Sequence, residues 1–314
     1  MRLRTGTFTH VTRRYVPLLL LLTGLWGSSF LFIEIALDDV EPSVLMFLRL
    51  LAAALVLVPA LAIRAGTRPA GEQLRAAWRP LVVLGAINAA IPFTLIAWGQ
   101  KHIDSGIAAI ANASVPIFVA LLAIRYRPSE KVTGARAVGI VAGLVGVAVL
   151  AGANPEGGWW AVAGTLAVVA ASFLYAVGAL YAQTHVESLD PILLVTGSTI
   201  AGAAMLAPVA AAQAPGSFPS WDVWVAVVAL GIGGMAIGQY VYYVLLEHHG
   251  STKAALVTYL LPGMALVLGI VFLDEPLTVA AVAGLALVLL GVGLGSGMLR
   301  PSRRRQPAPA PHAP

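Results

Sequence analysis

Apolar positions in this chain follow neither the stripe of a surface helix nor the alternation of a half-buried strand. They run on for about 20 residues at a time, enough for a helix to cross a hydrocarbon core of roughly 30 Å. Ten such runs are separated by short polar breaks: Val16–Leu37, Ser43–Ile63, Leu81–Gly99, Gly106–Ile124, Ala137–Ala151, Trp160–Ala182, Pro191–Gln213, Trp221–Leu246, Lys253–Leu273 and Leu277–Met298. The pattern predicts an all-α integral membrane protein of ten transmembrane helices. A basic segment precedes the first run, as in a secretory leader, but that run is too long and ends at no A-x-A site. It reads as an uncleaved first span.

Prolines, acids and glycines punctuate the runs twice in the same order. Ser105/Ser251, Ala108/Ala254, Ala109/Ala255, Pro116/Pro262, Leu122/Leu268 and Ile124/Ile270 share one offset. After a single deleted residue the register resumes with Glu130/Glu275, Thr133/Thr278, Gly139/Gly284 and Gly146/Gly291. The earlier parts of the two copies also align, with Pro42/Pro191 and Pro59/Pro208 matched, Trp26 opposite Tyr175 and Glu34 opposite Gln183. Five spans per copy is an odd number, so the second copy enters the membrane upside down, giving a 5+5 inverted repeat.

Composition agrees: with 59% hydrophobic and 11% charged residues, the chain cannot offer water a polar surface on every side. The absence of cysteine excludes disulfides and thiolate chemistry. A net charge of +5 invites a nucleic-acid reading, but the placement of the basic residues argues against it. Every Lys and Arg except Arg49 and Lys101 falls before the first run, at the breaks after the second and fourth, at the start of the ninth (Lys253), or after the tenth. With alternating spans these lie on one side, so the positive-inside rule puts both termini in the cytoplasm. The closing PSRRRQPAPAPHAP is expected to be disordered, with its arginines against anionic lipid.

Candidate chemistry lies at membrane depth. Pro116 and Pro262 fall near the middle of the fourth and ninth runs, where each removes a hydrogen bond and displaces the carbonyl four residues earlier, that of Asn112 or Thr258. In lipid a freed carbonyl must find a partner or line a water-filled cavity, so the two prolines are candidate hinges beside a central cavity. Glu34 and Arg49 are the formal charges well inside spans, at depths that permit an ion pair. The glutamate is either half of a structural pair or snorkelling, or it is a proton-coupling carboxylate tuned by the arginine. Trp26, Gly27, Ser28 and Ser29 form a small polar notch, and Asn88, Asn112, Tyr175, Gln239, Tyr243, Thr258 and Tyr259 are further polar side chains that bond either a solute or a neighbouring helix.

Three features read as structural. Glu130 and Glu275 cap the helices they begin, and the glycine faces of the fifth and tenth runs suit close packing, as scaffold or as the interface of a homodimer. His102, His248 and His249 have no carboxylate or cysteine at ligand spacing, so no metal site is expected.

WGSSFLFIEIAL at 26–37, FLRLLAAALVLVP at 47–59, and paired blocks with a mid-span proline, a glutamate before the next helix and a glycine-rich last helix resemble the EamA-type transporters of the drug/metabolite transporter superfamily. The resemblance covers about 16–298. It implies a 5+5 inverted-repeat fold, alternating access, and export of small metabolites, amino acids or drugs. It further implies that spans one, three, four, six, eight and nine surround the cavity while five and ten brace it. Similar proteins often carry Lys where this chain has Glu34, which puts any inherited substrate charge or coupling in doubt.

The expectation is therefore a gradient- or proton-coupled secondary transporter of the inner membrane. Its basic N-terminus is 1–15, its repeats 16–152 and 159–298, and its tail 299–314. Its energy comes from a gradient, since no G-x-x-x-x-G-K-[ST] motif is present; its partners are a small-molecule solute and the bilayer, with no nucleic acid and no cofactor. The competing class is an intramembrane enzyme acting on lipid-like substrates, which needs clustered intramembrane Asp, His or Ser that these runs do not supply.

Overall fold

The computed structural model describes residues 7–126, 134–152, 158–186 and 189–295. Glu130, the connection at 153–157 and the tail lie outside them. Among the described residues the chain is helical throughout: α1 (Thr7–Leu37), α2 (Pro42–Ala65), α3 (Thr67–Ala76), α4 (Trp78–Gly85), α5 (Ile91–Gln100), α6 (Ser105–Asn112), α7 (Val115–Tyr126), α8 (Gly134–Ala151), α9 (Gly158–His185), α10 (Pro191–Ala212), α11 (Trp221–Val228), α12 (Gly238–His249), α13 (Ser251–Ala254), α14 (Val257–Phe272) and α15 (Val279–Gly295). Two π-helical segments, Ala86–Ala90 and Ala229–Ile237, join α4 to α5 and α11 to α12 without a break in the rod.

Seven helical rods are long and apolar enough to cross a membrane: Tyr15–Leu37, Pro42–Ala65, Trp78–Gln100, Ser105–Leu122, Gly158–His185, Pro191–Ala212 and Trp221–His249. Three shorter apolar helices, Ala137–Ala151, Val257–Phe272 and Val279–Leu294, stand where the other runs were expected. The rods stop for local reasons. Pro42 and Pro191 occupy first-turn positions that need no N–H, and Asp190 accepts a bond from Ile192 N at 3.0 Å. Gly66 and Gly250 end α2 and α12 with φ of 82° and 84°, a conformation that strains other residues. One polar break is itself structured: α3 carries Arg68, Glu72 and Arg75 outward and buries Ala70 beside Leu61 and Leu193.

Successive rods run antiparallel, which gathers their ends on two faces. The proximal face holds Tyr15, Ala65, Trp78, His185, Pro191 and His249. There Tyr15 Oη donates to Lys253 O at 3.1 Å and Arg64 pairs with Asp190 at 3.0 Å. The distal face holds Leu37, Pro42, Gln100, Ser105, Gly158, Ala212 and Trp221. There Lys101 pairs with Glu41 at 2.9 Å, Ser220 N donates to Asp39 at 3.1 Å, and Ser43 bonds Gln213.

Glycines set how close the rods come. A Cβ at Gly291 would lie 2.6 Å from Gly143 Cα, and one at Gly284 2.6 Å from Leu150, so the glycine faces of α8 and α15 are spent on each other within one chain. At the distal end a Cβ at Gly164 would lie 2.8 Å from Gly99 O, letting α9 and α5 nearly touch. The main core includes Phe30, Leu45, Leu50, Ile110, Ala171 and Leu230 and extends to Leu150 of α8, Val288 of α15 and Val168 of α9.

Candidate functional site

A cavity of about 440 Å³ lies among α1, α2, the Trp78–Gln100 rod, α9, α10 and the Trp221–His249 rod. Asn112 at the end of α6 and Leu261 of α14 complete its wall. The wall is graded. Phe30, Ile33, Arg49 and Ile96, at its distal end, are buried, whereas Ala179, Leu194, Ser198 and Tyr243, toward the proximal face, are partly exposed. Elsewhere on the wall the order is mixed: Leu84 and Thr199 are buried, and Phe93 and Asn112 are partly exposed.

Both π segments contribute to this wall: Asn88 and Ala89 from one, Gly234 and Met235 from the other. A π turn inserts a residue into the ladder and leaves a carbonyl free to face outward. Trp26 Nε1 donates to the Gly234 carbonyl at 3.0 Å, tying α1 to the second segment. The first segment precedes Pro92, which cannot donate to the Asn88 carbonyl four residues back. Asn88 Oδ1 is buried without a partner, pressed against α9 at Gly178, where any Cβ would overlap it.

Trp26, Ser29, Asn88, Asn112, Tyr175, Gln239 and Tyr243, expected from polarity to share a site, all line this one cavity. Ser28, Thr258 and Tyr259 do not. Ser28 is one position, about 100° of helix, from Ser29 and turns its hydroxyl to Leu25 O at 3.4 Å. Thr258 Oγ1 donates to Ala255 O at 2.7 Å, and Tyr259 packs against the main core. Of the two expected hinges, Pro116 sits directly after a break between α6 and α7, and the Asn112 carbonyl that it frees lies 3.4 Å from Ser172 Oγ of α9. Pro262 instead lies inside a continuous α14, and the break falls earlier, at Ala255–Leu256.

The expected Glu34–Arg49 pair is not formed. Similar depth placed the residues together, but their directions around the helices differ. Glu34 Oε2 accepts from Gln100 Nε2 at 3.1 Å, and the same amide donates to Phe30 O at 2.9 Å. Arg49 instead lays its guanidinium over the Phe93 ring, 4.1 Å from the centroid, and Phe93 meets Tyr175 edge-on at 6.3 Å. A guanidinium at membrane depth costs roughly 2.5–3.5 kcal/mol on insertion scales, and a cation–π contact returns about 0.5–2 kcal/mol. The stack alone leaves this charge under-compensated. Phe93, Gln100 and Ser198 went unnoticed in the sequence, since a phenylalanine or serine in an apolar run carries no signal. Pro92 and the Gly231, Gly233 and Gly234 cluster were the available clues to the π segments.

On the distal face, Glu275 reaches across the molecule. Its carboxylate accepts from Ser105 N at 2.6 Å and Gly106 N at 3.1 Å, capping α6 and not, as expected, its own helix. Thr278 caps α15 instead, its hydroxyl accepting from Ala281 N at 3.1 Å. At this rim burial, reinforced by the Glu275 charge, pushes the Asp104 carboxyl above its ordinary value.

A model of the EamA-like transporter family matches residues 14–152 and again 162–296. An uncharacterized transporter of Archaeoglobus fulgidus is 25% identical over 89% of this chain and 97% of its own length. An Escherichia coli protein named an uncharacterized inner membrane transporter is 28% identical over 82% of this chain and 83% of its own. A Streptantibioticus cattleyicolor protein named a probable terminal-alkyne amino-acid exporter is 32% identical over 86% of this chain and 89% of its own. A crystal structure of a protein, 23% identical over 93% of this chain and 99% of that one, matches with a TM-score of 0.64, a likeness of fold.

Proposed function

This chain belongs to the EamA-like transporter family and is a multi-pass membrane protein, and from that premise we propose that it is a secondary active exporter of small organic solutes, working by alternating access across the inner membrane. One observation carries the reading: a cavity of about 440 Å³ at membrane depth, which we take to be closed at the distal face, where Phe30, Ile33 and Ile96 are buried, and open toward the proximal one, where Ser198 and Tyr243 are partly exposed. That volume suits a small ligand, for which pockets of about 300–1,000 Å³ are usual. The relative named as an amino-acid exporter supports solutes of amino-acid size.

The same reading takes the fold as ten spans in a 5+5 inverted repeat. The two matched family regions, the offset Pro and Glu pairs and the π segment in each half support it. With both termini in the cytoplasm, the proximal face is cytoplasmic, and the cavity stands ready to load an outgoing solute. The breaks before α7 and before α14 are the bending elements, and the driving force is a proton or solute gradient. Glu34 is the carboxylate to test for coupling.

Counter-flow in proteoliposomes tests the reading. Preloaded unlabelled solute should drive transient accumulation of its labelled form, with Glu34→Gln abolishing any pH dependence. Turnover of a lipid with no solute movement would instead favour the enzyme reading.

A further inference from the structure

Arg49 is the one charged side chain on the cavity wall among the described residues. It lies with Phe30, Ile33 and Ile96 among the buried residues of the wall. Its Nε is buried without an acceptor, and no carboxylate lies within ion-pair distance of it among the described residues. Phe93 holds the guanidinium plane from one face at 4.1 Å, a stack that leaves the edge donors free. A planar guanidinium fixed in this way matches a carboxylate through two parallel N–H···O bonds.

The rest of the wall complements an apolar body. Trp26, Phe93, Tyr175 and Tyr243 supply aromatic surface, and Asn112 and Gln239 supply neutral amides. What the wall lacks is equally specific. No Asp or Glu lines it among the described residues, because Glu34 is turned away to Gln100. A ligand ammonium would find no counter-charge there and would face Arg49 in a medium of low dielectric.

We propose that the cavity takes an amphipathic monocarboxylate, a small organic anion with an aromatic or branched apolar body and no free ammonium group, whose carboxylate is held by Arg49. The inference rests on the transporter reading for its biological meaning but not for its test.

Full-length protein in detergent is titrated calorimetrically with three probes of one shape: N-acetylphenylalanine, its neutral amide, and zwitterionic phenylalanine. The carboxylate should bind at least about tenfold tighter than either of the others, about 1.4 kcal/mol. Arg49→Gln should erase that preference, and Arg49→Lys should keep part of it. Equal affinity of the carboxylate and its amide, tighter binding of phenylalanine, a preference that survives Arg49→Gln, or no binding by any probe would each overturn the proposal. The wild-type comparison decides the matter even if the arginine variants do not fold. Carboxylate binding without counter-flow of any solute would sink the transporter reading alone; counter-flow of some other solute without carboxylate binding would sink this one alone.

Discussion

The distal face has buried links that the proximal face lacks, and the proposed mouth of the cavity lies on the proximal side. On the distal face, besides the exposed Lys101–Glu41 pair and Asp39–Ser220 contact, a carboxylate, Glu275, takes two backbone N–H groups of α6, Gln100 bridges α1 through Phe30 O and Glu34, and Gly99 and Gly164 bring α5 and α9 together. On the proximal face the polar links are exposed: Arg64–Asp190, with side chains 66% and 40% exposed, and Arg68–Glu72 within one helix. Charge-assisted bonds to partly buried groups contribute about 1.5–3 kcal/mol each. Exposed ion pairs contribute about 0–1 kcal/mol. The distal end is thus held by few but strong interactions, and removing them should loosen it.

The largest effect is expected for Glu275→Ala. It removes two bonds worth about 1.5–3 kcal/mol each and should both lower the midpoint of thermal unfolding and admit an impermeant maleimide from the distal side to a cysteine placed by Ile33→Cys. Unchanged labelling would detach Glu275 from closure. A smaller effect is expected for Gln100→Leu, which strips Phe30 O and Glu34 of a shared donor at a cost of roughly 1–3 kcal/mol. It should raise distal labelling less than Glu275→Ala does.

Arg64→Ala should change stability by under about 1 kcal/mol and leave labelling from either side as it was. A large change would mean that the proximal face is locked after all. The smallest effect concerns the Asp39–Ser220 contact, which is fully exposed. Hydrogen bonding from Ser220 holds the Asp39 carboxyl below its ordinary value, so the contact persists with Asp39 ionised and fades as pH falls through that depressed value. The Ser220 amide resonance should titrate with a midpoint below the model-peptide value of about 3.9; a midpoint at or above it would contradict the contact.

Much of this frame was legible in the residues, because lipid forces the backbone to satisfy itself and so turns each long apolar run into a helix. That logic also located the Asn112 carbonyl and its need for a donor, which Ser172 supplies. It failed where direction, and not depth, decides. Glu34 and Arg49 share a depth but point to Gln100 and to Phe93, and a sequence records no azimuth between helices. Thr258 was lost because the second break moved to Ala255–Leu256, away from Pro262. The acceptor of α6 was hidden for another reason: Glu275 lies about half the chain away, and its geometry suits its own helix just as well until the packing is known.

The chain has no cysteine, which makes one measurement decisive for the proposal that the cavity opens to a single face. Ser198→Cys and Ile33→Cys, made separately in ligand-free protein in oriented vesicles, are exposed to an impermeant maleimide from one side at a time. Both positions line the cavity, Ser198 partly exposed and Ile33 buried. The account predicts labelling of both from the proximal side and of neither from the distal side. Faster labelling of Ile33→Cys from the distal side would contradict it.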